Sequence, residues 1–156
     1  MKNTKEALKW IVGILNNNKI PFRISGGFAA KIYGSKRALA DIDIEVPDKF
    51  VDPICEKTKK YVIRKALRYK DKEFDLYSAI LKYKGQVIDI CGATSSKIYD
   101  KNKKKWVKEV IDLKKTVNKK VYGIQVKVIT LLDLIDYKSK IRRRVDIKDL
   151  KELTKK

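Results

Sequence analysis

The 156-residue chain contains no histidine. That absence removes histidine triads, histidine general bases and nearly all zinc chemistry. Any catalysis would fall to carboxylates, lysines, arginines and a bound metal. Cysteine is scarce as well: Cys55 and Cys91 are the only two, far apart, and Cys91 lies within an apolar strand pattern. They read as two packed thiols in a reducing cytoplasm rather than a disulfide or a metal site. No apolar run approaches the ~18 residues a membrane span needs, so no membrane partner is expected. The opening stretch "MKNTKEALKWIVGILNNN" is charged and amphipathic with no small-residue cleavage site after it, which argues against a signal peptide. Internal repeats and Pro/Gly/Ser linkers are missing too, and the length suits one domain with a real core.

Acidic residues are few: 19 Asp and Glu stand against 39 Lys and Arg, a formal charge of +20. A field of that sign attracts polyanions, with nucleic acid or nucleotides the obvious candidates. The lysines are spread along the whole chain, so much of the excess reads equally well as a generic solvated surface. The clusters "KNKKKWVK" (101–108) and "KSKIRRR" (138–144) are denser, and Trp106 sits within the first.

Apolar periodicity organises the rest. Ala7, Leu8, Ile11, Val12 and Leu15 recur at helical spacing and predict a helix over 4–18. Pro21 leads into a short strand, "FRIS", which runs into Gly26-Gly27; "FAAKIY" then reads as helix as far as Gly34. "DIDIEV" alternates strictly, putting Ile42, Ile44 and Val46 on one face and Asp41, Asp43 and Glu45 on the other. A helix is expected over 48–60, and "EFDLYSAILKY" and "QVIDICGA" form a hairpin about Lys84-Gly85. "VYGIQVKVIT" is one strand split by Gly123. Thr130 caps an amphipathic helix, "TLLDLIDYKSKI", and "DIKDLKELTKK" is a second, short one. The pattern is α+β: a small mixed sheet with helices on one side and a short helical C-terminal cap.

Asp41 and Asp43 demand a reason. Two like charges on one face of a strand are costly unless something positive lies between them. A pair of water-exposed aspartates at a strand end is the plain reading. A magnesium site is the sharper one, because Mg²⁺ takes hard oxygen ligands from a few carboxylates and substrate phosphates. Asp89, flanked by Val87, Ile88, Ile90 and Cys91, is the natural third ligand, with Asp75 or Asp71 as substitutes. Upstream, Gly26-Gly27 ends a strand and opens a helix, where backbone N–H groups can approach phosphate. Arg37, four residues before Asp41, has the fork geometry to reach a triphosphate.

Taken together, Ser25-Gly26-Gly27, a thirteen-residue spacer and Asp41-Ile42-Asp43-Ile44 resemble the nucleotidyltransferase superfamily of DNA polymerase β. "GGFAAKIYGSKRALADIDI" is most similar to the small stand-alone bacterial and archaeal branch related to the abortive-infection toxins. It departs from that branch at Leu39, where a threonine usually stands. The resemblance implies one nucleotidyltransferase-like domain over 1–156, with a core at about 20–92 and the cap at about 130–154. It implies an NTP as substrate and Mg²⁺ as cofactor, two ions with Mn²⁺ as a substitute. NMP would pass to an acceptor hydroxyl with release of pyrophosphate. Asp41, Asp43 and Asp89 would hold metal, Asp89 also serving as base. Ser25, Gly26, Gly27 and Arg37 would hold the triphosphate. The C-terminal "DLIDYKSKIRRRVDIKDLKEL" resembles the segment by which relatives bring a lysine to the phosphates, implying that role for Lys138, fixed by Asp149. Lys138 as a surface lysine and Asp149 as a helix-end residue are the plain alternatives. The charge favours RNA or tRNA as acceptor; a small molecule or protein acceptor, a non-catalytic nucleic-acid-binding module, and a cognate regulatory protein remain open alternatives.

Overall fold

A computed structural model describes residues 2–155. Helix α1 (Thr4–Asn17) starts where the Asn3 side chain accepts the Glu6 N–H, and it buries the five apolar residues that predicted it. Then follow β1 (Arg23–Ser25), α2 (Gly26–Ile32), β2 (Asp41–Val46), α3 (Val51–Lys57), β3 (Val62–Lys70), β4 (Phe74–Tyr83) and β5 (Gln86–Gly92). The chain continues through β6 (Lys97–Asp100), β7 (Lys105–Lys108), β8 (Thr116–Val121), β9 (Ile124–Ile129), α4 (Leu131–Ile141) and α5 (Arg144–Leu153). The nine strands form one mixed sheet in the order β7-β6-β4-β5-β2-β1-β9-β8, with β3 paired to β4. The β1–β9 and β2–β5 pairs are parallel; the others are antiparallel.

Strand alternation divides this sheet into two unlike faces. Ile42, Ile44 and Val46 of β2 and Ile88 and Ile90 of β5 are fully or almost fully buried in one hydrophobic cluster, with Leu8, Ile11 and Leu15 of α1 and Ile54 of α3. Each such side chain contributes about 1.5–3 kcal/mol by leaving water. The opposite face carries the polar residues. In register across β3, β4, β5, β2 and β1 run Arg64, Ile80, Asp89, Asp43 and Ser25. One row further on, Ser78, Cys91, Glu45 and Arg23 follow. The α4–α5 pair packs beside α2 and β6 as the C-terminal cap. Among the described residues no helix is long and apolar enough to cross a membrane.

Several expectations are corrected. The helix expected over 48–60 is three pieces: a 3-10 turn at Asp48–Phe50, α3, and a 3-10 turn at Lys59–Tyr61. The Thr58 hydroxyl bonds back to the Ile54 carbonyl where the helix stops, and Thr58 adopts a non-helical φ of −116°. "VYGIQVKVIT" is not one split strand but the second half of a hairpin, with β8 beginning at Thr116. Tyr122 and Gly123 both take positive φ, 52° and 80°, as do Lys84 and Gly85, 47° and 77°. Two such residues make the tight turn whose twist suits a two-residue hairpin. Strand β3 escapes the sequence reading because Arg64, Lys65, Arg68 and Lys70 break its alternation, and β6 and β7 because four residues are too short to show a period; pairing partners hold all three as strands.

Candidate active site

The polar face of the sheet floors a cavity of about 460 Å³, walled by β3, the loop before β2, the segment after β7, and the α4–α5 cap. At its centre, β2 and β5 run parallel with Asp43 directly beside Asp89, and Asp41 lies two residues earlier on the same face. Each of the three offers an oxygen, and those oxygens lie within 4.8 Å of one another. Burial, then the charges of Asp89 and Asp41, pushes Asp43 up to about 8, against the pull of the Gly27 N–H. Burial, then Asp41, raises Asp89 to about 6. Asp41 is raised more gently by burial, offset by Lys2, Arg37 and Arg143. Three converging carboxylates that resist ionisation together are a hard-oxygen donor set, and they fit Mg²⁺ or Mn²⁺.

The glycines open this site by what they lack. Gly26 has φ +60°, and a Cβ there would overlap the Asp43 carboxylate. A Cβ at Gly27 would lie 2.5 Å from Nη2 of Arg37. The Gly27 N–H instead donates to Asp43 Oδ2 at 3.2 Å. Ser25, Gly26, Gly27 and Arg37, expected around a triphosphate, all line the cavity with the three aspartates.

Lys138 and Asp149 lie elsewhere. Lys138 is fully buried and does not line the cavity; its ammonium pairs with Asp146 at 2.9 Å and Asp149 at 3.0 Å. Asp149 also takes Arg37 through Nε and Nη2, both at 2.9 Å, and the Ser35 hydroxyl at 2.7 Å. Asp146 holds Arg143 through Nε at 2.8 Å and Nη2 at 3.2 Å. The result is a chain of alternating charge, Arg37–Asp149–Lys138–Asp146–Arg143, whose two end arginines line the cavity. Burial opposes ionisation of Asp146 and Asp149, yet their cationic partners hold both carboxyls below their ordinary value.

The substitutes for the third carboxylate are otherwise engaged. Asp75 is salt-bridged to Arg68 at 2.8 Å and does not line the cavity. Asp71 does line it, but accepts the Tyr69 hydroxyl and the N–H groups of Glu73 and Phe74. Sequence reasoning missed Arg64, Tyr137, Arg143 and Glu109. Arg143 carried a usable signal, standing three residues before Asp146 at a helix start. Arg64 lies on the unread strand β3 and Glu109 just past β7; neither had one.

No family model matches the chain, and no curated protein sequence is similar to it. Solved structures are. A Thermotoga maritima protein described as a nucleotidyltransferase, TM1012, superposes with a TM-score of 0.70 at 19% identity, over 97% of this chain and 93% of that one. The lincosamide antibiotic adenylyltransferase LnuA, bound to lincomycin, gives 0.60 at 15% identity, over 99% and 100%. ANT(2″)-Ia, in complex with adenylyl-2″-tobramycin, gives 0.59 at 15% identity, over 96% and 86%. The fold is therefore nucleotidyltransferase-like, an α+β architecture on one mixed sheet.

Proposed function

We propose that this cavity is the active site of a divalent-metal-dependent nucleotidyltransferase, which moves NMP from an NTP to an acceptor hydroxyl. The observation carrying the reading is the convergence of Asp41, Asp43 and Asp89 on the polar sheet face. A plain nucleic-acid-binding module has no use for three carboxylates that raise one another's proton affinity.

In this reading Asp41, Asp43 and Asp89 hold the metal. When bound, a divalent ion neutralises phosphate charge and lowers the pKa of the acceptor hydroxyl. The triphosphate lies along Gly26-Gly27, where open backbone admits close approach, with Arg37 and Arg143 supplying positive charge from the cavity wall. The acceptor oxygen forms a bond to the α-phosphorus as the bond to the α–β bridging oxygen breaks, and pyrophosphate leaves with that electron pair. The acceptor proton passes to Asp89, the carboxylate on the strand next to the Asp41–Asp43 pair. Lys138 acts as a positioning residue, spacing Asp149 and Asp146 so that Arg37 and Arg143 stay at the cavity. Preorganised charge then does most of the work, as expected for phosphoryl chemistry.

Of the two basic clusters, 101–108 keeps Lys103, Lys104, Lys105 and Lys108 exposed and without an ion pair among the described residues, whereas 138–144 lends RNA less support than its raw charge suggests. Within 138–144, Lys138 is buried, Lys140 pairs with Asp136 and Arg143 with Asp146, which leaves Arg142 and Arg144 exposed and unpaired among the described residues. The test is incubation with Mg²⁺, each α-³²P-labelled NTP in turn, and either total RNA or a panel of small hydroxylated compounds. An Asp41→Ala/Asp43→Ala variant serves as control. Label transferred by the wild type and absent in the control supports the reading. Absence of both transfer and metal-dependent NTP binding in the wild type overturns it.

A further inference from the structure

The cavity extends beyond the metal-binding carboxylates. Past Asp43 on the same strand comes Glu45, and past Asp89 comes Cys91; Ser96, Glu109 and Tyr137 complete that end. Glu45 is spent, because its carboxylate is held by Arg23 in a buried pair. Glu109 is not spent. Its side chain accepts one hydrogen bond, from the Ser96 hydroxyl at 3.0 Å, and among the described residues no lysine or arginine pairs with it. Tyr137 lines the same end, and its hydroxyl likewise makes no hydrogen bond among the described residues.

This matters because an enclosed carboxylate without a counter-ion is expensive, and chains generally pair it or leave it out. Burial and the neighbouring Glu45 raise the Glu109 carboxyl to about 7; Arg23 and Lys140 offset this only in part. Nothing in the nucleotidyl-transfer scheme above uses Glu109. A phosphate would be repelled from this end, since Glu45 and Glu109 both face it and Arg23 is already engaged.

We propose that the Glu109 end is a recognition subsite for a protonated amine on a small hydroxylated acceptor, held at Glu109 while its hydroxyl reaches Asp89. The inference rests on the nucleotidyltransferase reading for the meaning of "acceptor", whereas the amine site itself rests on the cavity and the Glu109 carboxylate that no cation pairs within it. An ammonium supplies the missing counter-charge and several N–H donors, one of them available to the Tyr137 oxygen. The exterior charge of +20 repels such a molecule at long range, so recognition must be local, inside the cavity.

The experiment uses glucosamine and glucose, a probe pair differing by one amine, and reads binding to the full chain by saturation-transfer NMR without nucleotide. Glucosamine is expected to bind and glucose to be at least about tenfold weaker, the scale of one charge-assisted contact. Glu109→Gln is expected to remove that preference while leaving binding of Mg²⁺ with a non-hydrolysable ATP analogue unchanged. The unchanged nucleotide binding doubles as evidence that the variant is folded, and its melting temperature gives a second check. Equal binding of the two sugars, or a preference surviving Glu109→Gln, overturns the inference. So does a Glu109→Gln variant whose nucleotide affinity or base preference changes, since Glu109 would then read the nucleotide. Nucleotide binding that fails in the wild type, while glucosamine binding persists and depends on Glu109, overturns the transferase reading and leaves the amine site standing.

Discussion

Two charged clusters lie side by side in this molecule and are built on opposite rules. In the Arg37–Asp149–Lys138–Asp146–Arg143 chain, every charge faces an opposite one within hydrogen-bonding distance. In the Asp41–Asp43–Asp89 group, like faces like, and among the described residues no cation pairs with any of the three. The first cluster is paired within the protein, and its three cations against two carboxylates leave a surplus positive charge on the arginines that line the cavity. The second is left unfinished, and a group supplied from outside would complete it. Burial alone therefore does not mark function; an uncompensated charge in an accessible cavity does.

The sharpest way to break the comparison is to remove the unfinished cluster. Asp41→Ala/Asp43→Ala is expected to lower nucleotidyl transfer by roughly 10³-fold or more, since it deletes two metal ligands and the charge stabilisation they organise. Rates from α-³²P-labelled NTP would check this. An equal rate in the variant would dissolve the distinction between the two clusters.

Removing the centre of the finished cluster should hurt the fold. Lys138→Met leaves Asp146 and Asp149 buried with one cationic partner type each, arginine. Breaking a buried pair from one side costs about 3–5 kcal/mol, and the remaining arginines place this variant near the lower bound. At ~2–4 °C per kcal/mol for a chain of this size, the melting temperature should fall by roughly 10 °C. Calorimetry in the absence of metal would measure it.

Neutralising one member of the unfinished cluster should do the reverse. Asp43 has a folded-state value near 8, above that of an unfolded aspartate. A raised acid binds its proton more tightly when folded, so its contribution to stability is whole at low pH and is lost as pH rises towards 8. Metal-free protein should therefore be less stable at pH 8 than this group alone allows at pH 5, and Asp43→Asn should recover the loss. A rise in melting temperature of at least about 3–6 °C at pH 8, smaller at pH 5 and close to zero only below about pH 4, is the expected result. Added Mg²⁺ should stabilise the wild type at pH 8 and leave the variant nearly unmoved.

Legibility in the sequence followed the same division. The triad and its floor were readable because strict alternation in "DIDIEV" and "VIDIC" fixes which side chains share a face, whatever the rest of the chain does. Gly26-Gly27 was readable because a close approach leaves a compositional mark. What escaped is whatever depends on pairing between distant segments. Strand β3, with four cations in nine residues, carries no period and is held in place by β4. Its Arg64 therefore reaches the cavity unannounced. Lys138 was expected at the phosphates because the resemblance brought a lysine there, and its neighbours are basic. The resemblance also implied Asp149 as its partner, and the two do pair; only folding shows that Asp146 joins them and that the three are enclosed away from the cavity. Glu109 follows a run of lysines and reads as one more surface charge until Ser96 and the cavity surround it.

The smallest expected effect completes the comparison from the outside. Lys115 and Asp133 pair at 3.1 Å, only slightly longer than the interior pairs at 2.8–3.0 Å, but Lys115 is 58% exposed and Asp133 34%. Water and salt screen both partners, and holding a long lysine in one geometry costs side-chain entropy. Lys115→Ala should change stability by no more than ~0.5 kcal/mol, a melting shift of about 1–2 °C, and that shift should vanish at high ionic strength. Lys138→Met should keep most of its effect under the same salt. A Lys115→Ala loss as large as that of Lys138→Met would mean that distance rather than burial governs these pairs, and the contrast between finished and unfinished charge would lose its physical basis.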